Sequence, residues 1–241
     1  QFIREARVLA AVDHPNVLAI YDAGFASGAG MKIEVPYLAM PLIANGDLSS
    51  WVLQRGLLDN PLAITLLAGC ASGLQALQRA GFVHRDLKPG NILISSGLTP
   101  LVADVSAASP VGLPPRPGLV VGSLGYLAPE HIRYGISNEA TDLYALGATM
   151  YFALTGKAPY QVEPQDLLIW AESATGAPAP HEERATVDLR LSQVIQHALQ
   201  PVPENRYATM AELIDDCMAI QQGKKPVNAL SNRSPLFWGK S

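Results

Sequence analysis

A short polar stretch, His84 to Gly90, lies between two apolar runs of this chain and is followed by Asn91. Phe82 and Val83 lead into it, and Ile92, Leu93 and Ile94 lead out. Polar loops carried on buried segments are where scaffolds hold reactive groups. Three side chains here have complementary chemistry. Asp86 can accept a proton. Lys88, two residues on, can neutralise a phosphoryl group in transfer. Asn91, five residues after Asp86, offers a carbonyl oxygen to a hard cation such as Mg²⁺, which takes oxygen ligands. Pro89 fixes φ in the loop and Gly90 permits unusual φ. The competing reading is a loop that is merely charged.

The run HRDLKPGN resembles the catalytic loop of protein kinases, of the bacterial Hanks Ser/Thr type. Further motifs follow in the order of that family. Asp104-Val105-Ser106 stands where the family has Asp-Phe-Gly. Gly122–Glu130, GSLGYLAPE, matches the end of an activation segment, with Ala128-Pro129-Glu130 as its A-P-E. Asp142 in TDLYALG resembles the aspartate that holds the catalytic-loop backbone. Arg206 in ENRY matches the ion-pair partner of Glu130.

The resemblance implies transfer of the γ-phosphoryl group of ATP to a Ser or Thr of a protein substrate. Asp86 would position and deprotonate the hydroxyl, Lys88 would steady the phosphate, and Asn91 and Asp104 would hold Mg²⁺. Ser123 would bond Asp86 and Lys88, with His84 and Arg85 as supports of the loop. Adenine would meet the Pro41 carbonyl and the N–H and carbonyl of Ile43, with Met40 behind it and Leu93 as its floor. Proline is harmless at position 41 because only its C=O is needed. Asp47 matches a ribose-binding position, and N-cap of the next helix is an equal reading. Glu5, in R-E-A, matches the glutamate that pairs with a strand lysine; a solvated helix charge is its alternative. Lys88 at this spacing is similar to Ser/Thr kinases, not Tyr kinases.

Two departures from the family pattern stand out. Val105 buries less apolar surface than Phe, a loss of about 1 kcal/mol, and Ser106 restricts backbone flips that glycine permits. Between Asp104 and Glu130 there is no threonine. Ser123 and Tyr126 have structural roles in the family, so Ser109, followed by Pro110, is the free-standing candidate for phosphorylation. Activity is therefore expected not to depend on a phosphate paired with Arg85.

These residues need elements to hold them. A helical pattern over residues 1–12 stops at Asp13-His14-Pro15-Asn16. Val17–Tyr21 and Lys32–Met40 read as strands joined by a glycine-rich hairpin tip, Gly24–Gly30, which lacks the Lys-Ser/Thr and helix of a phosphate loop. Asn60-Pro61 opens a long helix that Gly81 closes. Short strands at Ile92–Ser95 and Pro100–Ala103 flank a Ser-Gly turn. A helix begins at Ser137 and ends at Gly156, another carries Leu191, Val194, Ile195 and Ala198, and Thr209 to Glu212 caps the last. The expected fold class is α+β, kinase-like: a partial small lobe of one helix and two strands in residues 1–40, a hinge at 41–46, a mainly helical large lobe at 47–222, and a tail or linker at 223–241.

Composition agrees with a globular chain: 49% of its 241 residues are hydrophobic and 16% charged. A net charge of −4 argues against a nucleic-acid partner. Cys70 and Cys217 lack metal-ligand spacing and read as buried thiols. The longest apolar run, Leu143–Leu154, is too short for a membrane span and fits a core helix. With no signal peptide pattern, the expected location is cytoplasmic, within a larger protein or alone. The family's glycine-rich loop and strand lysine do not occur in the sequence, so the chain reads as a fragment whose residues 1–241 alone lack kinase activity. Two other classes stay open: a pseudokinase that binds nucleotide or scaffolds, and a small-molecule phosphotransferase of kinase-like fold.

Overall fold

The computed structural model describes residues 5, 8–26, 35–116, 118, 120–173 and 175–229. In chain order the elements are strands β1 (Asp22–Ala26) and β2 (Val35–Ala39), helices α1 (Leu48–Arg55) and α2 (Asn60–Arg79), and strands β3 (Phe82–Val83), β4 (Ile92–Ile94), β5 (Pro100–Val102) and β6 (Ser109–Pro110). Helices α3 (Pro129–Tyr134), α4 (Glu139–Thr155), α5 (Leu167–Ser173), α6 (Pro180–Glu183), α7 (Leu189–Ala198) and α8 (Met210–Gln221) follow. The strands form three antiparallel pairs, β1 with β2, β3 with β6, and β4 with β5. The expected α+β arrangement of a small strand-bearing part and a mainly helical large part is the observed one.

The first strand lies later than the sequence suggested. Val17 and Leu18 are buried but pair with the far side of the chain: Leu18 N–H donates to Val102 O at 2.9 Å, and Val102 N–H to Asn16 O at 2.8 Å. Their apolar character marks an anchor onto β5. The strand itself is DAGFA, whose mostly exposed side chains give no alternating signal. Gly24 faces Tyr37 across the pair, and the Tyr37 hydroxyl reaches over it to donate to Asp22 Oδ2 at 2.7 Å. Of the expected helix over residues 1–12, Glu5 and Val8 to Ala10 are helical, Ala11 is a turn and Val12 is not helical; residues 1–4 and 6–7 lie outside the described residues, as does the hairpin tip beyond Ala26.

Helix starts also moved by one residue. Asp59, not Asn60, caps α2, accepting Leu62 N–H at 2.9 Å. Asn60 instead ties α2 to the loop before α7, donating to Thr186 O and accepting Asp188 N–H, both at 2.9 Å. Asn138, not Ser137, caps α4 in a capping box with Thr141. In each case two neighbouring polar residues could cap, and tertiary contacts chose between them.

α2 and α4 form the centre. α4 is buried nearly all round, as a helix apolar on every face must be. α2 is, among the described residues, the one helix long and apolar enough to cross a membrane, a candidate longer than the expected Leu143–Leu154. It packs against α4, α8 and β5. One core cluster runs from Val8 and Val12 through α2, α4 and α7 to Ile220 on α8. A smaller one, Leu127, Ile132, Leu167 and Ala171, lies between α3 and α5.

Candidate active site

β3 leads the chain into the polar loop and β4 leads it out, so residues 84–91 sit at the edge of the core. The first turn of α4 grips this loop. Asp142, 6% exposed, accepts His84 N–H at 2.8 Å and Arg85 N–H at 2.9 Å. Burial raises its carboxyl pKa, against the pull of the two N–H bonds. This grip holds Arg85 at φ 74°, a left-handed conformation that non-glycine residues adopt at a cost. His84 is fully buried. Its Nδ1 accepts Asp86 N–H at 3.3 Å, so Nε2 carries the proton and donates to Ala103 O at 3.0 Å. The loop is thereby tied to the residue preceding Asp104.

Asp86, Lys88 and Ser123 form a triangle. Lys88 Nζ lies 2.9 Å from both Asp86 Oδ2 and Ser123 Oγ, and Ser123 Oγ donates to Asp86 Oδ1 at 2.9 Å. Asn91, 5% exposed, spends its amide nitrogen on Asp86 O at 2.8 Å. Its Oδ1 is the end of the amide left for an electrophile.

Asp104 is exposed and left-handed, at φ 55° and ψ 67°, and starts a 3₁₀ turn over Val105–Ala107. Val105 is fully buried in the main core. The positive φ of this motif falls on Asp104; Ser106 has none, so serine there meets no backbone strain. Glu5 is half-buried, and its carboxyl pKa is raised by burial and then by the negative charge of Asp104. Glu5 makes no ion pair among the described residues, and the chemistry of the place asks for a cation.

On the nucleotide side of the expected site, Asp47 bridges Leu93 in antiparallel fashion, and Ile94 N–H donates to Gly46 O at 2.9 Å. Asp47 accepts both the N–H (2.9 Å) and the hydroxyl (2.8 Å) of Ser50 and caps α1. The Ile43 carbonyl already accepts Gly46 N–H at 3.1 Å, which leaves one lone pair for another donor. Met40 is 41% exposed, and Pro41, Ile43 and Leu93 are half-buried.

The segment from Ser109 to Glu130 is fastened at several of its described residues. Ser109 pairs with Val83 in the β3–β6 ladder and is 2% exposed, so it is not the free-standing hydroxyl the sequence suggested. Val111 N–H donates to Gly81 O at 2.8 Å, and Arg116 N–H to Gly135 O at 3.4 Å. Gly135, at φ 66°, lies so close to the Arg116 backbone that no Cβ would fit. Val121 N–H donates to His131 Nε2 at 3.2 Å. At the far end, Glu130 and Arg206 form a bidentate pair with both N···O distances 2.7 Å. Arg206 also donates to the carbonyls of Gln200, Ala140 and Pro201. His131 and Gly135 went unread in the sequence; a histidine directly after A-P-E was the one available signal.

The protein kinase domain profile matches residues 1–226. Among similar proteins, the serine/threonine-protein kinase PknB of Mycobacterium leprae is 30% identical over 236 residues, which is 94% of this chain and 36% of that protein. PknB of Mycolicibacterium smegmatis is 30% identical over 230 residues, with the same coverage. The serine/threonine-protein kinase PknK of Mycobacterium tuberculosis is 29% identical over 225 residues, 92% of this chain and 20% of that protein. The chain thus spans about a third of the length of the PknB relatives it matches.

Proposed function

This chain belongs to the protein kinase domain family, and we propose that it is the catalytic domain of a Ser/Thr kinase acting on protein substrates. The observation that carries the reading is the Asp86–Lys88–Ser123 triangle, set beside an Asn91 whose amide nitrogen is already committed. The acceptor hydroxyl approaches Asp86, which orients it and takes its proton as the oxygen attacks the γ-phosphorus of ATP. The bond to the bridging oxygen breaks and ADP leaves with its electron pair. Lys88 steadies the transferring phosphoryl. Asn91 Oδ1 and the Asp104 carboxylate are the oxygen donors that fit Mg²⁺. When bound, Mg²⁺ supplies charge neutralisation on the phosphates. Glu5, whose carboxyl pKa is raised by burial and by the charge of Asp104, fits the pairing partner of a lysine at the phosphates.

Met40, Pro41, Ile43 and Leu93 would frame the adenine, with Asp47 reaching the ribose only by sharing its Ser50 contacts. Residues 1–40 would then be the small-lobe part, 41–46 the hinge, 47–222 the large lobe and 223–241 a tail, in a cytoplasmic setting. The test is transfer of label from γ-labelled ATP with Mg²⁺, using the natural full-length protein, followed by phosphoamino-acid analysis. Phosphoserine or phosphothreonine is expected. Nucleotide binding without any transfer would replace this reading with a pseudokinase module.

A further inference from the structure

His131 is 3% exposed on α3, and both ring nitrogens are engaged. Nδ1 lies 2.8 Å from Ile136 O and 3.0 Å from Ser137 Oγ, while Nε2 lies 3.2 Å from Val121 N. A backbone N–H can only donate, so Nε2 must accept. Nδ1 then carries the proton and donates to the Ile136 carbonyl. A doubly protonated ring would set its Nε2–H head-on against the Val121 N–H. The Val121 bond therefore exists only with a neutral ring.

Burial chiefly favours that neutral form. It outweighs the Ile136 carbonyl, which favours the cation, and Arg85 from the catalytic loop adds to it, so the imidazole pKa lies below its usual value. Glu130 on the same helix pulls the other way, but its carboxylate is committed to Arg206. Arg133, also on α3, lies over the Tyr134 ring. Asp86 and Asp142 line a small cavity together with His131, Arg85, Tyr126 and Thr141; Asp142 is held by two loop N–H groups and Asp86 by Lys88 and Ser123.

Val121 precedes Gly122 and Ser123. Gly122 has φ 124°, and a Cβ there would come within 2.9 Å of Arg85 O. Ser123 hydrogen-bonds the proposed base, and Leu124 beside it is 44% exposed. The stretch 120–124 is thus the wall next to Asp86 that an incoming protein chain must meet.

We propose that His131 is a positioning residue for the protein substrate: its neutral ring pins Val121 and so sets the 120–124 wall beside Asp86. This role rests on the kinase reading above. It acts where a phosphate would otherwise be needed to order the segment, and it fails in acid, when the ring is protonated.

The test uses two variants of the natural full-length protein. His131→Asn keeps an amide N–H near the Nδ1 position but has no acceptor for Val121. His131→Gln reaches the Nε2 position with an amide oxygen and does not titrate. Amide exchange, referred to the unstructured rate, is read over residues 118–124 without nucleotide or substrate. In wild type, protection of Val121 should fall about five- to tenfold between about pH 7.5 and about pH 4.5, well below the ordinary imidazole range as the lowered pKa requires, while α2 is unchanged. His131→Asn should show the loss at both pH values, and His131→Gln at neither. In turnover at neutral pH, His131→Asn should raise KM for the protein substrate about three- to tenfold, with KM for ATP and kcat within about twofold. Protection indifferent to pH and to His131→Asn overturns the anchor, as does a pH response that survives in His131→Gln. Unchanged KM for the protein substrate with a released Val121 overturns the positioning role. A wild type that transfers no phosphate would remove the kinase reading and the substrate role with it, while the exchange data still decide the anchor.

Discussion

Glu130 takes two guanidinium N–H groups from Arg206, and neither side chain is more than 6% exposed. Such a pair adds little over an apolar pair of the same volume, but breaking one half strands the other charge out of water. Glu130→Gln should therefore cost about 3–5 kcal/mol of stability. A urea unfolding midpoint within error of wild type would contradict this. The partners were legible through the resemblance of A-P-E and E-N-R-Y to the family's motifs, since 76 residues separate Glu130 from Arg206. Asp86, Lys88 and Asn91 were legible from the chemistry of one short polar loop, whereas Ser123, the third corner of the triangle, was placed only through the family resemblance. The ring of His131 was not legible: its importance depends on Val121 and Ile136, whose contributions are backbone groups and leave no mark on side-chain pattern. At the Asp-Val-Ser motif, Val105 is fully buried and the left-handed residue is Asp104.

Among elements, long helices were easiest to find and their starts hardest. α2, α4, α7 and α8 repeat apolar residues at helical spacing, whereas Asp59 against Asn60, and Ser137 against Asn138, differ only in distant contacts. α3, α5 and α6 were not read at all. They are short, and α5 exposes Leu168 (52%) and Ile169 (66%), which spoils its periodicity. The end of α8 hides another feature: buried Asp216 accepts N–H groups from Val227, Asn228 and Ala229 and the hydroxyl of Tyr207, fixing a stretch that shows no repeat. The activation segment is held by backbone bonds at Val111, Arg116 and Val121 and by Ser123. Ser109→Ala should accordingly leave turnover within about twofold, at a stability cost of about 1 kcal/mol or less. Mass spectrometry of the wild-type segment should find Ser109 unmodified. Stoichiometric phosphate there, with a large activity loss in the variant, would reject this account of how the segment is ordered.

The whole molecule is built on one core that joins Val8, Val12 and Val17 to the large-lobe helices, with a separate small cluster under α3 and α5. Local opening follows the size of the buried cluster. Amide exchange should therefore release α3 and α5 before α2 and α4, and simultaneous release of all four would argue for one cooperative unit. The same division puts α3, whose His131 accepts Val121 N–H, on the looser part and Asp86 on the firm one, gripped by Asp142 from α4. That geometry makes a definite claim about Asp86: it serves the acceptor hydroxyl and is not needed to hold nucleotide. The direct measurement is steady-state phosphotransfer by Asp86→Asn in the natural full-length protein, with ATP affinity measured alongside. The account predicts kcat lower by about 10²–10⁴ with ATP affinity nearly unchanged. Turnover close to wild type in that variant would show that Asp86 is not the base.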